Sequence, residues 1–144
     1  MTVERQQWWL RFSGLLVMGF GLLVCLAAWP PTAGATVFLA DLVIWPLDGQ
    51  QTGRAGETRL LSAVGGGVMA GWGAMIWMLA GRPLLLMPAE IRRVVLGSVG
   101  LWFVIDSGGS LLAGVPVNAV ANVSFLLLFA VVLRRPARPA ANPA

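Results

Sequence analysis

The chain has 144 residues, of which 58% are hydrophobic and 11% charged. A soluble domain carries about 25% charge to keep its surface wet, so at a mean hydropathy of +0.80 lipid must form part of this chain's solvent. The net charge of +4 comes from arginine alone. Those arginines sit in short clusters beside apolar runs, not on one face among exposed aromatics, which argues against a nucleic-acid partner.

The absence of histidine removes the usual haem ligand, the commonest zinc ligand and the side chain best suited to proton transfer near neutral pH. The single cysteine, Cys25, lies inside an apolar run and has no internal disulfide partner. No metal site and no cofactor is expected, and any proton chemistry must use carboxylates.

Four apolar runs meet the length of about 17–25 residues that a spanning helix needs. The first covers residues 12–29, Phe12 to Trp29. A cleavable signal peptide is its rival, with Ala33-Gly34-Ala35 as a small-residue cleavage site. However, the run exceeds the usual apolar length of about 7–15 residues and ends in Trp-Pro-Pro well before that site, so it reads as a retained helix. Val24 before Cys25 is too large for a lipoprotein site.

The outer connection, Pro30 to Arg59, is the one long loop. Its segment Thr36 to Trp45 is too short to span and ends at a proline and an Asp-Gly turn, so it predicts a short interfacial helix. The second spanning helix, residues 60–80, carries small residues in two neighbouring stripes: Ser62, Gly66, Ala70 and Ala74, then Ala63, Gly67 and Gly71. Helices in lipid associate by close backbone approach, which such stripes permit. Contact within the same bundle is the simpler reading, and a dimerisation face the alternative.

The inner loop Gly81 to Arg93 is short, with Leu84 to Met87 expected to rest against headgroups. The third and fourth spanning helices follow at 94–112 and 115–133. Residues 1–133 therefore read as a single all-α domain, an antiparallel bundle of four transmembrane helices. Residues 134–144 are rich in proline and alanine without periodicity and read as a disordered cytoplasmic tail.

With the amino terminus inside, Arg5, Arg11, Arg82, Arg92, Arg93, Arg134, Arg135 and Arg138 lie on the inner side, against Arg54 and Arg59 outside. That bias places both termini in the cytoplasm, and a bacterial inner membrane is the expected location. Trp8 and Trp9 then sit at the inner interface and Trp29 at the outer, where amphipathic rings are favoured.

One carboxylate, Asp106, falls inside an apolar run, with two asparagines four residues apart on the next helix. The link at Ala113 to Pro116 is so short that the two helices must be antiparallel neighbours. Asp106 lies eight residues before Gly114 and Asn122 eight after it, while Ser110 and Asn118 lie four before and four after. Residues equally far from the turn sit at equal depth, so two matched polar stripes face each other. An unsatisfied polar group in hydrocarbon is costly, and interhelical hydrogen bonds relieve that cost. Asp106 is thus expected opposite Asn122 and Ser110 opposite Asn118, with Ser107 beside them, roughly 9 Å from the outer end of the helix. In the competing arrangement, Gly108-Gly109 breaks the helix and leaves Asp106 among the headgroups.

The segment Trp102-Phe103-Val104-Ile105-Asp106-Ser107, followed by Ser110, Gly114, Asn118 and Asn122, resembles an uncharacterised family of small bacterial four-helix integral membrane proteins. Met69-Ala70-Gly71-Trp72 on the second helix resembles part of the same pattern. Size and topology are also similar to DoxX-like membrane proteins, in architecture only. The resemblance implies the four-helix fold and carries no activity with it.

Three roles stay open for the polar cluster. It can be a hydrogen-bonded clasp in an accessory or scaffold subunit, a ligand or transport site near the periplasmic side, or part of a catalytic pair. The last needs a second titratable group, for which Asp41, Asp48 and Glu57 are the outer-loop candidates. No catalytic residue is assigned, and a non-enzymatic role is the leading expectation. The expected partners are the lipid bilayer and a membrane protein or a second copy of the chain.

Overall fold

The computed structural model describes residues 1–134. It is all-α: α1 Val3–Leu26, a 3-10 turn Pro30–Thr32, α2 Gly34–Ile44, α3 Gly56–Leu79, α4 Arg82–Leu86, α5 Pro88–Leu112 and α6 Pro116–Leu133. Four of these, α1, α3, α5 and α6, are long and apolar enough to cross a membrane. The expected disordered tail, residues 134–144, lies outside the described residues beyond Arg134.

Three long helices start earlier than hydropathy alone places them. α1 begins at Val3 because Thr2 caps it, its hydroxyl accepting the Arg5 N–H at 3.4 Å, and Glu4 occupies the first turn. A cap oxygen satisfies an orphan donor and an acidic side chain complements the positive helix end. α3 starts at Gly56 with Glu57 in its first turn, and α5 at Pro88 with Glu90 in its first turn. Proline fits that first position because its missing N–H has no partner there anyway. These polar turns project beyond the apolar spans. α1 stops at Leu26 rather than Trp29, since Trp29 precedes Pro30 and a residue before proline is pushed out of the helical region.

The short helix of the outer loop is present as α2, packed against α1 and α6. Thr36 ties it down, its hydroxyl donating to the Leu23 carbonyl at 2.8 Å. The inner loop differs from expectation. Leu84 is fully buried within the core, while Leu85, Leu86 and Met87 are exposed. One turn of helix, α4, turns Leu84 inward between α3 and α5.

Two helix pairs make up the bundle. In the first, α1 and α3 run so close that backbone meets backbone. A side-chain carbon added to Gly14 would lie 2.8 Å from the Gly73 carbonyl oxygen, and one on Gly21 would lie 2.7 Å from that of Gly66. Gly14 and Gly21 are seven residues apart, and so are Gly66 and Gly73. That spacing returns to the same seam of a helix pair, and small residues there allow the approach.

The packing stripe read from the sequence needs correction on this point. Gly66 and Ala70 do lie in the seam, but Gly67 and Gly71 are exposed with open space beside them. Ser62, Ala63 and Ala74 are half-buried. Steps of four residues overshoot a full turn by about 40° each, so a stripe of fours drifts off the contact. The real seam alternates fours and threes through Gly66, Ala70, Gly73 and Trp77.

The second pair is the α5–α6 hairpin. α1 joins the two pairs through α6, and a chain of rings crosses the bundle. Phe20 meets Phe125 at 5.9 Å, Phe125 meets Trp102 at 6.1 Å, and Trp102 meets Trp72 at 5.9 Å between centroids. Beside the rings lies a hydrophobic core that includes Leu10, Val17, Ile76, Val95, Val99 and Phe129. α3 and α5 stay apart along most of their length and meet through the two tryptophan rings.

Candidate functional site: a polar clasp beside a lateral cleft

The hairpin turn sets the register of everything that follows. Gly114 has φ +75°, a left-handed conformation that side chains other than hydrogen resist. Around it the Gly114 N–H donates to Leu111 at 3.1 Å and the Val115 N–H to Ser110 at 2.8 Å. This paired pattern satisfies the last carbonyls of α5. Pro116 then opens α6 with no spare residue. α5 runs unbroken through Gly108 and Gly109, so the broken-helix alternative does not hold and Asp106 stays within the helical span.

With that register, both asparagines reach the same carboxylate oxygen. The Asn122 amide donates to Asp106 Oδ1 at 2.7 Å and the Asn118 amide at 2.9 Å. Each amide then bridges to a serine. Asn118 donates to Ser110 Oγ at 2.8 Å and Asn122 to Ser107 Oγ at 3.2 Å. Ser110 donates back to the Asp106 carbonyl at 2.8 Å. The five side chains named from the sequence therefore form one connected network. Asn122 and Ser107 are buried, while Asp106, Ser110 and Asn118 are half-buried.

The two oxygens of Asp106 differ. Oδ1 collects the amide donors, whereas Oδ2 accepts no hydrogen bond from the described residues. No unpartnered side-chain oxygen is sealed inside the described part of the molecule, so Oδ2 is not completely enclosed. Asp106 borders a cleft of about 390 Å³ between α3 and α5, lined with Trp72, Ser98, Leu101, Trp102 and Ile105. Leu101 and Ile105 are 63% and 65% exposed, so the cleft opens along the exposed apolar face of α5.

Two of the three candidate carboxylates are engaged elsewhere, and the third, Glu57, lies in the first turn of α3. Asp41 is buried, and its two oxygens accept the Gly49 N–H at 3.0 and 3.2 Å. Asp48 accepts the Gln50 N–H at 3.1 Å. None of the described hydrogen bonds links them to Asp106. Among the described residues, no group of three or more His, Cys, Asp or Glu side chains comes together.

Sequence reading missed a second set of fastenings, at the end of the bundle where α6 finishes. Gln6 is almost fully buried and donates its amide to the Val132 carbonyl at 3.0 Å. Arg92 donates through Nε to the Leu133 carbonyl at 2.7 Å. These carbonyls end α6, where helix geometry leaves acceptors without intrahelical partners and a cation is favoured. The signal was present: Gln6 lies on the same helical face as Leu10, Ser13 and Val17, all buried. At the opposite end Arg59 Nε donates to the Ala28 carbonyl at 2.8 Å, binding α3 to the end of α1.

Fold and site together define a multi-pass, all-α membrane protein with a hydrogen-bonded polar network inside one helical hairpin. Comparison with protein-family models, with curated proteins and with solved structures gives no match for the chain.

Proposed function

We propose that this is a non-enzymatic accessory or scaffold subunit of a bacterial inner membrane, with both termini in the cytoplasm, in which the Asp106 network acts as a structural clasp. One observation carries this reading. The amide N–H groups of Asn118 and Asn122 are all engaged within the hairpin. A transport site in that place would need such donors free for a passing solute. The favoured use of interhelical hydrogen bonds in lipid is helix association, and a rigid hairpin with long apolar outer faces suits a membrane-protein partner or a second copy.

Two measurements test the reading. Replacing both Asn118 and Asn122 with leucine should lower thermal stability in mild detergent by several degrees. Purification of the tagged chain in the same detergent should bring down a stoichiometric membrane neighbour or yield a defined homo-oligomer. An unchanged melting temperature would remove the clasp, and a strictly monomeric, partner-free protein would remove the accessory role.

A further inference from the structure

Asp106 Oδ2 is not needed by the clasp, and its surroundings define what it can meet. Asp106 is the one charged side chain of the cleft lining. Ser98 directs its hydroxyl back to its own helix, donating to the Val95 carbonyl at 3.0 Å. The remaining walls are two indole rings and two aliphatic side chains. Residues 98, 101, 102, 105 and 106 share one face of α5 over about two turns, so the cleft is a furrow running along the helix with the carboxylate at its outer end.

We propose that this furrow binds a lipophilic ammonium ion that enters sideways from the bilayer. Its cation pairs with Asp106 Oδ2 and its apolar tail lies along Trp72, Leu101, Trp102 and Ile105. Tryptophan faces attract cations through the ring quadrupole, more strongly when water is excluded. An ionisable side chain at this depth is a functional candidate by default. The volume is within the range of about 300–1,000 Å³ common for small-molecule sites.

The charge pattern selects a free ammonium ion over a phospholipid headgroup. A lipid headgroup would bring a phosphate beside Asp106, and no arginine lines the furrow to receive it. This inference uses the clasp geometry, which engages Oδ1 and leaves Oδ2 without a hydrogen bond from the described residues, but it does not depend on the accessory role.

The test uses the full chain in phosphatidylcholine nanodiscs and equilibrium dialysis of radiolabelled dodecyltrimethylammonium, with empty discs as the baseline. Saturable binding of one probe per chain is expected despite the excess choline headgroups of the disc. Dodecanol and dodecyl sulfate should show no such binding. Asp106→Asn should weaken probe binding at least tenfold. Because that variant also alters the clasp, Leu101→Trp provides a second arm, filling the furrow without touching the hydrogen-bonded network. It should abolish binding while leaving the melting temperature unchanged. No saturable binding by the natural chain, equal binding of dodecanol, or natural affinity in Leu101→Trp would each overturn the proposal. Failure of the Asn118 and Asn122 test with intact probe binding would affect only the accessory reading.

Discussion

Asn122 Nδ2 lies 2.7 Å from Asp106 Oδ1 across the α5–α6 hairpin, although sixteen residues separate them in the chain. The pairing follows from one turn. Gly114 reverses the chain, Pro116 starts the next helix at once, and positions eight residues either side of the glycine arrive level. A polar network that would be costly against lipid becomes an adhesive between two helices.

The turn therefore controls the clasp. Gly114→Ala should cost roughly 1–2 kcal/mol, the usual penalty for a side chain in the left-handed region. It should also loosen the network, so that Asn118→Ala costs less in the Gly114→Ala background than in the natural chain. Equilibrium unfolding of the four proteins measures both effects. Strict additivity would show that turn and network are independent.

The α1–α3 seam tolerates nothing larger than hydrogen at its crossing points. Gly21→Val and Gly66→Val each push a side chain into opposing backbone, so destabilisation at or beyond the upper end of the roughly 1–3 kcal/mol usual for overpacking is expected. Gly67→Val and Gly71→Val, which meet open space, should be close to neutral. Melting temperatures of the four variants in one detergent check this, and equal effects at all four positions would contradict the seam.

The fastening at the end of α6 predicts a charge-specific result. Arg92→Gln keeps a donor but loses the cation at the end of α6, and should cost about 0.3–1 kcal/mol. Gln6→Leu leaves the buried Val132 carbonyl without its side-chain donor and should cost more, about 1–3 kcal/mol. Thermal unfolding in detergent ranks the two, and a reversed order would count against the burial of Gln6.

Orientation is open to labelling. In a Cys25→Ser background, an exposed Asp48→Cys should react with a membrane-impermeant thiol reagent applied to intact cells. Protection from the reagent would place the long loop in the cytoplasm and reverse the assigned topology.

The hairpin was legible in the sequence for a simple reason. A short Gly-Val-Pro link leaves one antiparallel register, and matched spacing of polar residues on either side reveals which faces meet. The same reasoning could not see the cleft, which depends on how far α3 stands from α5, a distance set by two tryptophan rings and not by any local pattern. The glycine seam was half legible. Gly66 and Ala70 were evident, but the partner glycines Gly14 and Gly21 sit in a run whose hydropathy gives no reason to single them out. The seven-residue spacing that links Gly14 to Gly21 and Gly66 to Gly73 was the missed clue. Gln6 was passed over because polar residues near a helix end usually face water, although its spacing from Leu10, Ser13 and Val17 puts it on the buried face of α1.

The most direct measurement is a double-mutant cycle between Asp106 and Asn122. Asp106→Ala, Asn122→Ala and the double variant would be compared with the natural chain by reversible unfolding in mixed micelles. Direct hydrogen bonding inside the bilayer span predicts a coupling free energy of about 0.6–1.7 kcal/mol, the range for interhelical bonds in membranes. Additivity within about 0.3 kcal/mol, as for sites without a shared partner, would show that the two side chains do not hold each other.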